Sequence, residues 1–198
     1  MTKANCPVVG LVFLIFFVIS LITNILGPLV PEFIKSFTLS LSLAGFLPFS
    51  FFVAYGVMSI PSGMLVERFR EKPVIAVAFG VACLGSLGFA LAPRFEVGLG
   101  SLFSIGIGMA MLQVAINPLL RVAGGEPHFA FNSVMAQLIF GLASFISPKI
   151  YSYLVGELTG YSGSGNRLVA QLSRVVPPEL PWISLNWVFA VVSLAWCW

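Results

Sequence analysis

Five long apolar runs, at positions 8–30, 43–66, 74–92, 99–122 and 130–155, recur along this 198-residue chain. A helix needs ~20 mostly apolar residues to cross a hydrocarbon core, and in lipid only helices or closed barrels satisfy every backbone N–H and C=O. Barrel strands would show alternation over ~10 residues. These runs do not, and they predict an all-α, multi-pass membrane protein. A sixth run starts near position 182, but its cleanest apolar part, 187–198, is shorter than a span and reaches Trp198 without a polar flank. The expectation is six transmembrane helices over residues 1–198, cut off in or near the sixth.

Composition closes off the alternatives. Only 9% of residues are charged and 59% are hydrophobic, against ~25% charged in soluble domains, so a soluble fold could not hide its apolar surface. The formal charge of +3 lies in short clusters between the runs and forms no basic face for nucleic acid. Cys6, Cys83 and Cys197 lack metal-ligand spacing, and His128, the single histidine, follows Gly124-Gly125 in a short loop. With no nucleophile motif, metal cluster or cofactor loop beside them, the chain reads as no enzyme, with no cofactor and no metal. Lys3 ahead of an apolar run imitates a signal peptide, but that run is as long as a span and more follow. An uncleaved first helix is expected.

Short connections predict antiparallel, adjacent helices. The exception is 156–181, rich in Gly, Ser and Pro, read as a long extracytoplasmic loop. Its 167–176 portion alternates polar and apolar residues, so it is either a plain loop or a segment lying on the membrane surface. With a cytoplasmic amino terminus, Lys3, Arg68, Arg70, Lys72 and Arg121 fall inside, and Lys35, Arg94, Lys149, Arg167 and Arg174 outside. The count ties. The concentration of Arg68, Arg70 and Lys72 in one tight loop favours the cytoplasmic assignment. Small residues every fourth position, Ala78, Ala82, Ser86 and Ala90 in the third run and Gly100, Ser104 and Gly108 in the fourth, predict faces for close helix packing.

Two runs are interrupted by proline, at Gly27-Pro28 and Asn117-Pro118. Proline removes one backbone donor and frees a carbonyl one turn earlier, so each place is either a simple kink or part of a cavity wall. If the spans form two repeats of three, the first and fourth correspond, and paired helix breaks then point to a binding site. Polar side chains within the runs are few: Asn24, Gln113, Asn117 and Gln137. Buried amides either cross-link helices or line a wet cavity, where each offers a donor and an acceptor to a hydroxyl. No acid or base lies at mid-membrane in the five complete runs, and Lys149 sits close enough to an end to snorkel.

Residues 63–72, Gly-Met-Leu-Val-Glu-Arg-Phe-Arg-Glu-Lys, resemble the signature loop of the major facilitator superfamily, Gly-x-Leu-Ala-Asp-Arg-x-Gly-Arg-Lys. Gly63, Leu65, Arg68 and Lys72 match and Glu67 replaces the aspartate, while Arg70 stands at the second glycine and Glu71 at a basic position. Residues 112–118, Leu-Gln-Val-Ala-Ile-Asn-Pro, are similar to a segment of the fucose/glucose/galactose permease group in that superfamily. Asn24, Pro31-Glu32-Phe33, Phe37-Thr38-Leu39 and Ala44-Gly45 are similar to its first helix and following loop.

The resemblance implies the amino-terminal six-helix half, two three-helix inverted repeats, of a twelve-helix transporter in the cytoplasmic membrane. Its partners would be a sugar-like solute, the bilayer, the missing carboxy-terminal half and a coupling ion. Asn24, Gln113, Asn117 and Gln137 are the candidate solute-binding residues, Gly63, Glu67, Arg68 and Lys72 the gating loop, and Gly27, Pro28 and Pro118 the helix breaks. Where proton-coupled fucose permeases carry acids, this chain has Gly27 and Gln113, the latter as in glucose/galactose members. Of the group's fifth-helix motif Ala136-Gln137 survives, with Val134 and Phe140 in place of asparagines. The function expected is alternating-access transport of a sugar or similar small polar solute. The other reading is a non-transporting fragment or helical interaction module.

Overall fold

A computed structural model describes residues 6–159, 176 and 183–196. Among them are six α-helices: α1 (Cys6–Phe37), α2 (Leu41–Phe69), α3 (Glu71–Leu91), α4 (Phe95–Gly124), α5 (Phe129–Thr159) and α6 (Ser184–Trp196), with a 3-10 turn at Glu126–His128. The first five are long and apolar enough to cross a membrane. The described α6 has 13 residues, which at 1.5 Å per residue reaches ~20 Å, less than a hydrocarbon core. The expected sixth span is thus a shorter helix here. Of the expected loop at 156–181, residues 156–159 complete α5 and Val176 is a buried bend, and the rest lies outside the described residues.

The links are as short as expected, but of the helices they join only α3 and α4 pair closely. A single residue, Arg70, separates α2 from α3, and Ser40 caps α2 by accepting the Leu43 N–H at 3.3 Å. Yet α1 and α2, α2 and α3, and α4 and α5 touch only slightly, while α1 lies along α5 and α2 along α4. A tight link fixes only helix ends, and side-chain fit decides which flanks close. The helix α4 sits at the centre, packed on α1, α2 and α3, with Met109, Leu112, Ala115, Ile116 and Leu120 fully buried.

Fit here means small residues. Ala78, Ala82, Ser86 and Ala90 are all buried, and a Cβ added at Gly108 would stand 2.6 Å from the Ala78 carbonyl. From the other side, a Cβ at Gly85 would stand 2.8 Å from the Ser101 carbonyl and 2.9 Å from the Ser104 Cβ. Gly100 departs from the expected stripe: it is exposed with open space above it. Gly106 brings α4 against the Phe51 carbonyl and Ala54 of α2.

Hydroxyl and thiol donors then tie neighbours through backbone carbonyls. Ser20 donates to Phe140 at 2.5 Å and Ser147 to Leu21 at 2.8 Å, joining α1 to α5. Ser50 donates to Leu99 at 2.9 Å between α2 and α4. Between α3 and α6, Ser86 donates to Asn186 at 2.7 Å and Cys83 to Ala190 at 3.6 Å. In lipid each such bond contributes ~0.6 kcal/mol, up to ~1.7.

The helix breaks expected at Gly27-Pro28 and at Pro118 are absent. α1 runs unbroken through Pro28 and Pro31, and α4 through Pro118. A proline deletes one hydrogen bond of the ladder, and the flanking turns, which have no water to turn to, keep theirs. Pro48 and Pro61 in α2 and Pro148 in α5 lie inside helices too, features the motif reading passed over.

Candidate functional site

Of the candidate amides, Asn24 lies on α1, Gln113 and Asn117 on α4 and Gln137 on α5. Gln113 is half-buried on α4, and the Tyr55 hydroxyl of α2 donates to its Oε1. Tyr55 is held in turn by its own helix: its ring lies 6.3 Å from that of Phe51 at an interplanar angle of 28°, and Phe51 is fully buried. One turn beyond, the exposed Asn117 donates its Nδ2 to the Gln113 carbonyl at 2.9 Å.

Asn24 is half-buried on α1. Its Nδ2 donates to the Ser20 carbonyl at 2.9 Å and to Ser20 Oγ at 3.3 Å, and Ser20 carries the tie to α5. Gly27 is exposed with nothing above its Cα, and Pro28 lies half-buried beside it. Gln137 is exposed on α5, next to the fully buried Ala136. Among the described residues the structure therefore joins Gln113 to Asn117 and Tyr55, and anchors Asn24 to Ser20. No hydrogen bond there links Gln137 or Asn24 to the other amides.

Tyr55 and Ser20 were not foreseen. A tyrosine inside a span carries a signal, since its hydroxyl needs a partner in an apolar setting. Ser20 had none, because serines also serve as ordinary helix ties.

Cavities do not replace this cluster. An apolar void of about 50 Å³ between α1, α2, α4 and α6, lined by Ile22, Leu26, Leu29, Phe51 and Ile105, touches none of the four amides. A wider opening of about 360 Å³ lies where α1 and α5 begin, with Val9, Phe13, His128 and Asn132 on its walls.

The candidate gating loop straddles the α2–α3 junction. Gly63 lies within α2 with open space around it, Glu67 and Arg68 are exposed in its last turns, and exposed Lys72 begins α3. Arg68 sits 5.4 Å over the Phe69 ring. The ion pairs among the described residues are Lys35–Glu32 at 3.4 Å and Arg121–Glu126 at 2.6 Å, so Glu67, Arg68 and Lys72 have no charge partner there. At Arg70 the backbone takes φ 66°, the left-handed region a glycine would fill freely.

Comparison with known proteins shows the family of the chain. The model of the Major Facilitator Superfamily matches residues 12–198. A glucose/galactose transporter of Brucella abortus is 32% identical over 145 residues, 72% of this chain and 35% of the relative. The L-fucose-proton symporter of Escherichia coli is 30% identical over 132 residues, 64% of this chain and 30% of the relative. The chain thus spans about a third of the length of these curated relatives, which are transporters and not enzymes.

Among solved structures, a variant of the Escherichia coli fucose:proton symporter superposes with a TM-score of 0.72 at 20% identity, covering 98% of this chain and 48% of the other. FucP in the outward conformation superposes at 0.68 and 21%, covering 94% and 49%. At that identity the likeness is one of fold. Long apolar helices, the 63–72 motif and the family match lead to one conclusion: the chain belongs to the Major Facilitator Superfamily and is a multi-pass membrane protein.

Proposed function

We propose that this chain is the amino-terminal half of a transporter that moves a sugar or similar small polar solute by alternating access. The observation that carries the reading is the amide cluster, Gln113 oriented by Tyr55 with Asn117 one turn away, on half-open helix faces. Amides buried in lipid need partners, and the ends these two leave free suit a hydroxylated solute. The sugar specificities of the relatives support the solute class.

Six helices as two inverted three-helix repeats are supported by two regularities. α1 packs on α5 as α4 packs on α2. Internal prolines fall in α1 and α2 and again in α4 and α5, with none inside α3 beyond its first turn or in the described α6. In this reading Asn24, Gln113, Asn117 and Gln137 contact the solute, Gly27, Pro28 and Pro118 shape the wall, and Gly63, Glu67, Arg68 and Lys72 gate. The unpaired charges of the gate and the bare apolar faces of α2 and α5 would meet a carboxy-terminal half. The setting is the cytoplasmic membrane, with the amino terminus inside. Coupling to protons would draw on an acid outside this chain, since Gly27 and Gln113 supply none.

The test is uptake of labelled glucose, galactose and fucose by the full reading frame in transport-deficient cells, with and without sodium or an uncoupler. Uptake of one sugar that Gln113→Ala cuts at least ~10-fold, at unchanged expression, is the expected result. Saturable uptake indifferent to Gln113→Ala would remove the assigned site. No uptake of any solute would leave the interaction-module reading.

A further inference from the structure

We infer that Tyr55 and Ser20 are positioning residues that hold the amides of Gln113 and Asn24 in opposite senses, so that α4 offers N–H donors and α1 offers oxygen acceptors. The inference rests on the transport reading and assigns which end of each amide its solute meets.

A glutamine amide has two ends of nearly equal shape and can present either one. Here the Tyr55 hydroxyl gives its one hydrogen to Gln113 Oε1. The Tyr55 ring stacks on buried Phe51, whose carbonyl lies where Gly106 brings α4 against α2. With Oε1 engaged, the two hydrogens on Nε2 remain to be offered.

Asn24 is fixed the other way round. Its Nδ2 is engaged by both the carbonyl and the hydroxyl of Ser20. That hydroxyl is fully buried and spends its own hydrogen on Phe140. What remains of Asn24 is Oδ1, together with its backbone carbonyl, whose helical donor is missing because residue 28 is proline. Gly27, exposed and without a side chain, leaves the approach to these oxygens open.

A solute that meets both amides would donate toward α1 and accept from α4. A hydroxyl does both. A carboxylate has no hydrogen to give and would face oxygens, and an ammonium has nothing to accept with.

The experiment compares uptake of the transported sugar by the full reading frame in wild type, Tyr55→Phe, Gln113→Ala and the double variant. Competition by single deoxy and deoxyfluoro analogues and by a sugar acid is measured beside it. Tyr55→Phe keeps the stacked ring and removes only the hydroxyl. The expected result is a KM raised about 3- to 10-fold with maximal rate retained, the yield of one hydrogen bond, and a double variant no worse than Gln113→Ala alone.

Fluorine accepts but does not donate. One fluoro analogue should therefore compete better than its deoxy counterpart, another should compete no better, and the sugar acid should not compete. Further loss from Tyr55→Phe in the Gln113→Ala background would overturn the positioning role, as would an unchanged KM where Gln113→Ala is impaired; both leave the transport reading standing. Saturable uptake unaffected by Gln113→Ala would instead remove the assigned site and the positioning role with it, and only the absence of uptake would defeat the transport reading. If Tyr55→Phe fails to fold, the analogue series on the wild type decides, and equal competition by deoxy and fluoro forms at every position would sink the inference.

Discussion

Arg70 shows how much can rest on one residue. It is the only residue between α2 and α3, and its φ of 66° with ψ of 173° puts it in a region held almost entirely by glycine. A side chain in that region costs ~1 kcal/mol, which a residue lacking Cβ avoids. Arg70→Gly is therefore expected to raise thermal stability in detergent by about 1 kcal/mol, and an unchanged or lower midpoint would contradict the strain argument. The motif already showed arginine at a glycine position. Whether the backbone had kept the glycine conformation or rearranged was a tertiary question, because either could be accommodated by a single-residue link. Likewise the sequence reading found the amides of Asn24, Gln113, Asn117 and Gln137, but not their orientation, which depends on Tyr55 and Ser20 across or along the helices.

At the scale of elements, close approach governs. Gly108 meets Ala78 and Ala82, and Gly85 meets Ser101 and Ser104, so backbone lies against backbone along α3 and α4. Gly108→Leu should force the two apart and cost at least ~2 kcal/mol, seen as a lower unfolding midpoint and loss of expression. Gly100→Leu should be silent, because nothing stands over that position. Equal damage from the two would refute the pairing. The small-residue spacing announced a packing face but included Gly100, since spacing alone does not tell which side of a helix meets its neighbour. Continuity through Pro118 adds a third expectation. Pro118→Ala should keep α4 helical and the protein folded, and if the carbonyl of Val114 is used by solute, uptake should fall while stability holds or rises.

For the whole molecule, orientation is the property most open to direct test. Both the α2–α3 junction and the Arg121–Glu126 pair lie at the helix ends assigned to the cytoplasm, and the Thr38 turn lies at the opposite end. A cysteine at Lys72 should react with an impermeant maleimide only from the cytoplasmic side, and one at Thr38 only from outside. The reverse pattern would overturn the assignment and place the 63–72 loop outside. Exposed Phe52, Val57 and Ile60 on α2 and Phe131, Val134 and Phe145 on α5 amount to more apolar surface than the short links alone would have suggested. Those links predicted neighbours in sequence to be neighbours in space, which holds for α3 and α4 but not for α1 and α2, α2 and α3 or α4 and α5, and α2 and α5 were left with open faces.

Class, span positions and superfamily were legible in the order of the residues, because lipid demands ~20 apolar residues per crossing and the 63–72 and 112–118 motifs are local. Helix partners were not, since a span's apolar surface is nearly uniform and lipid is as good a neighbour as leucine. The fit of Gly85, Gly106 and Gly108 against particular carbonyls set α3 and α2 against α4. The sense of Gln113 followed from that choice, because Tyr55 of α2 came within reach of its Oε1, whereas Asn24 turned to Ser20 of its own helix.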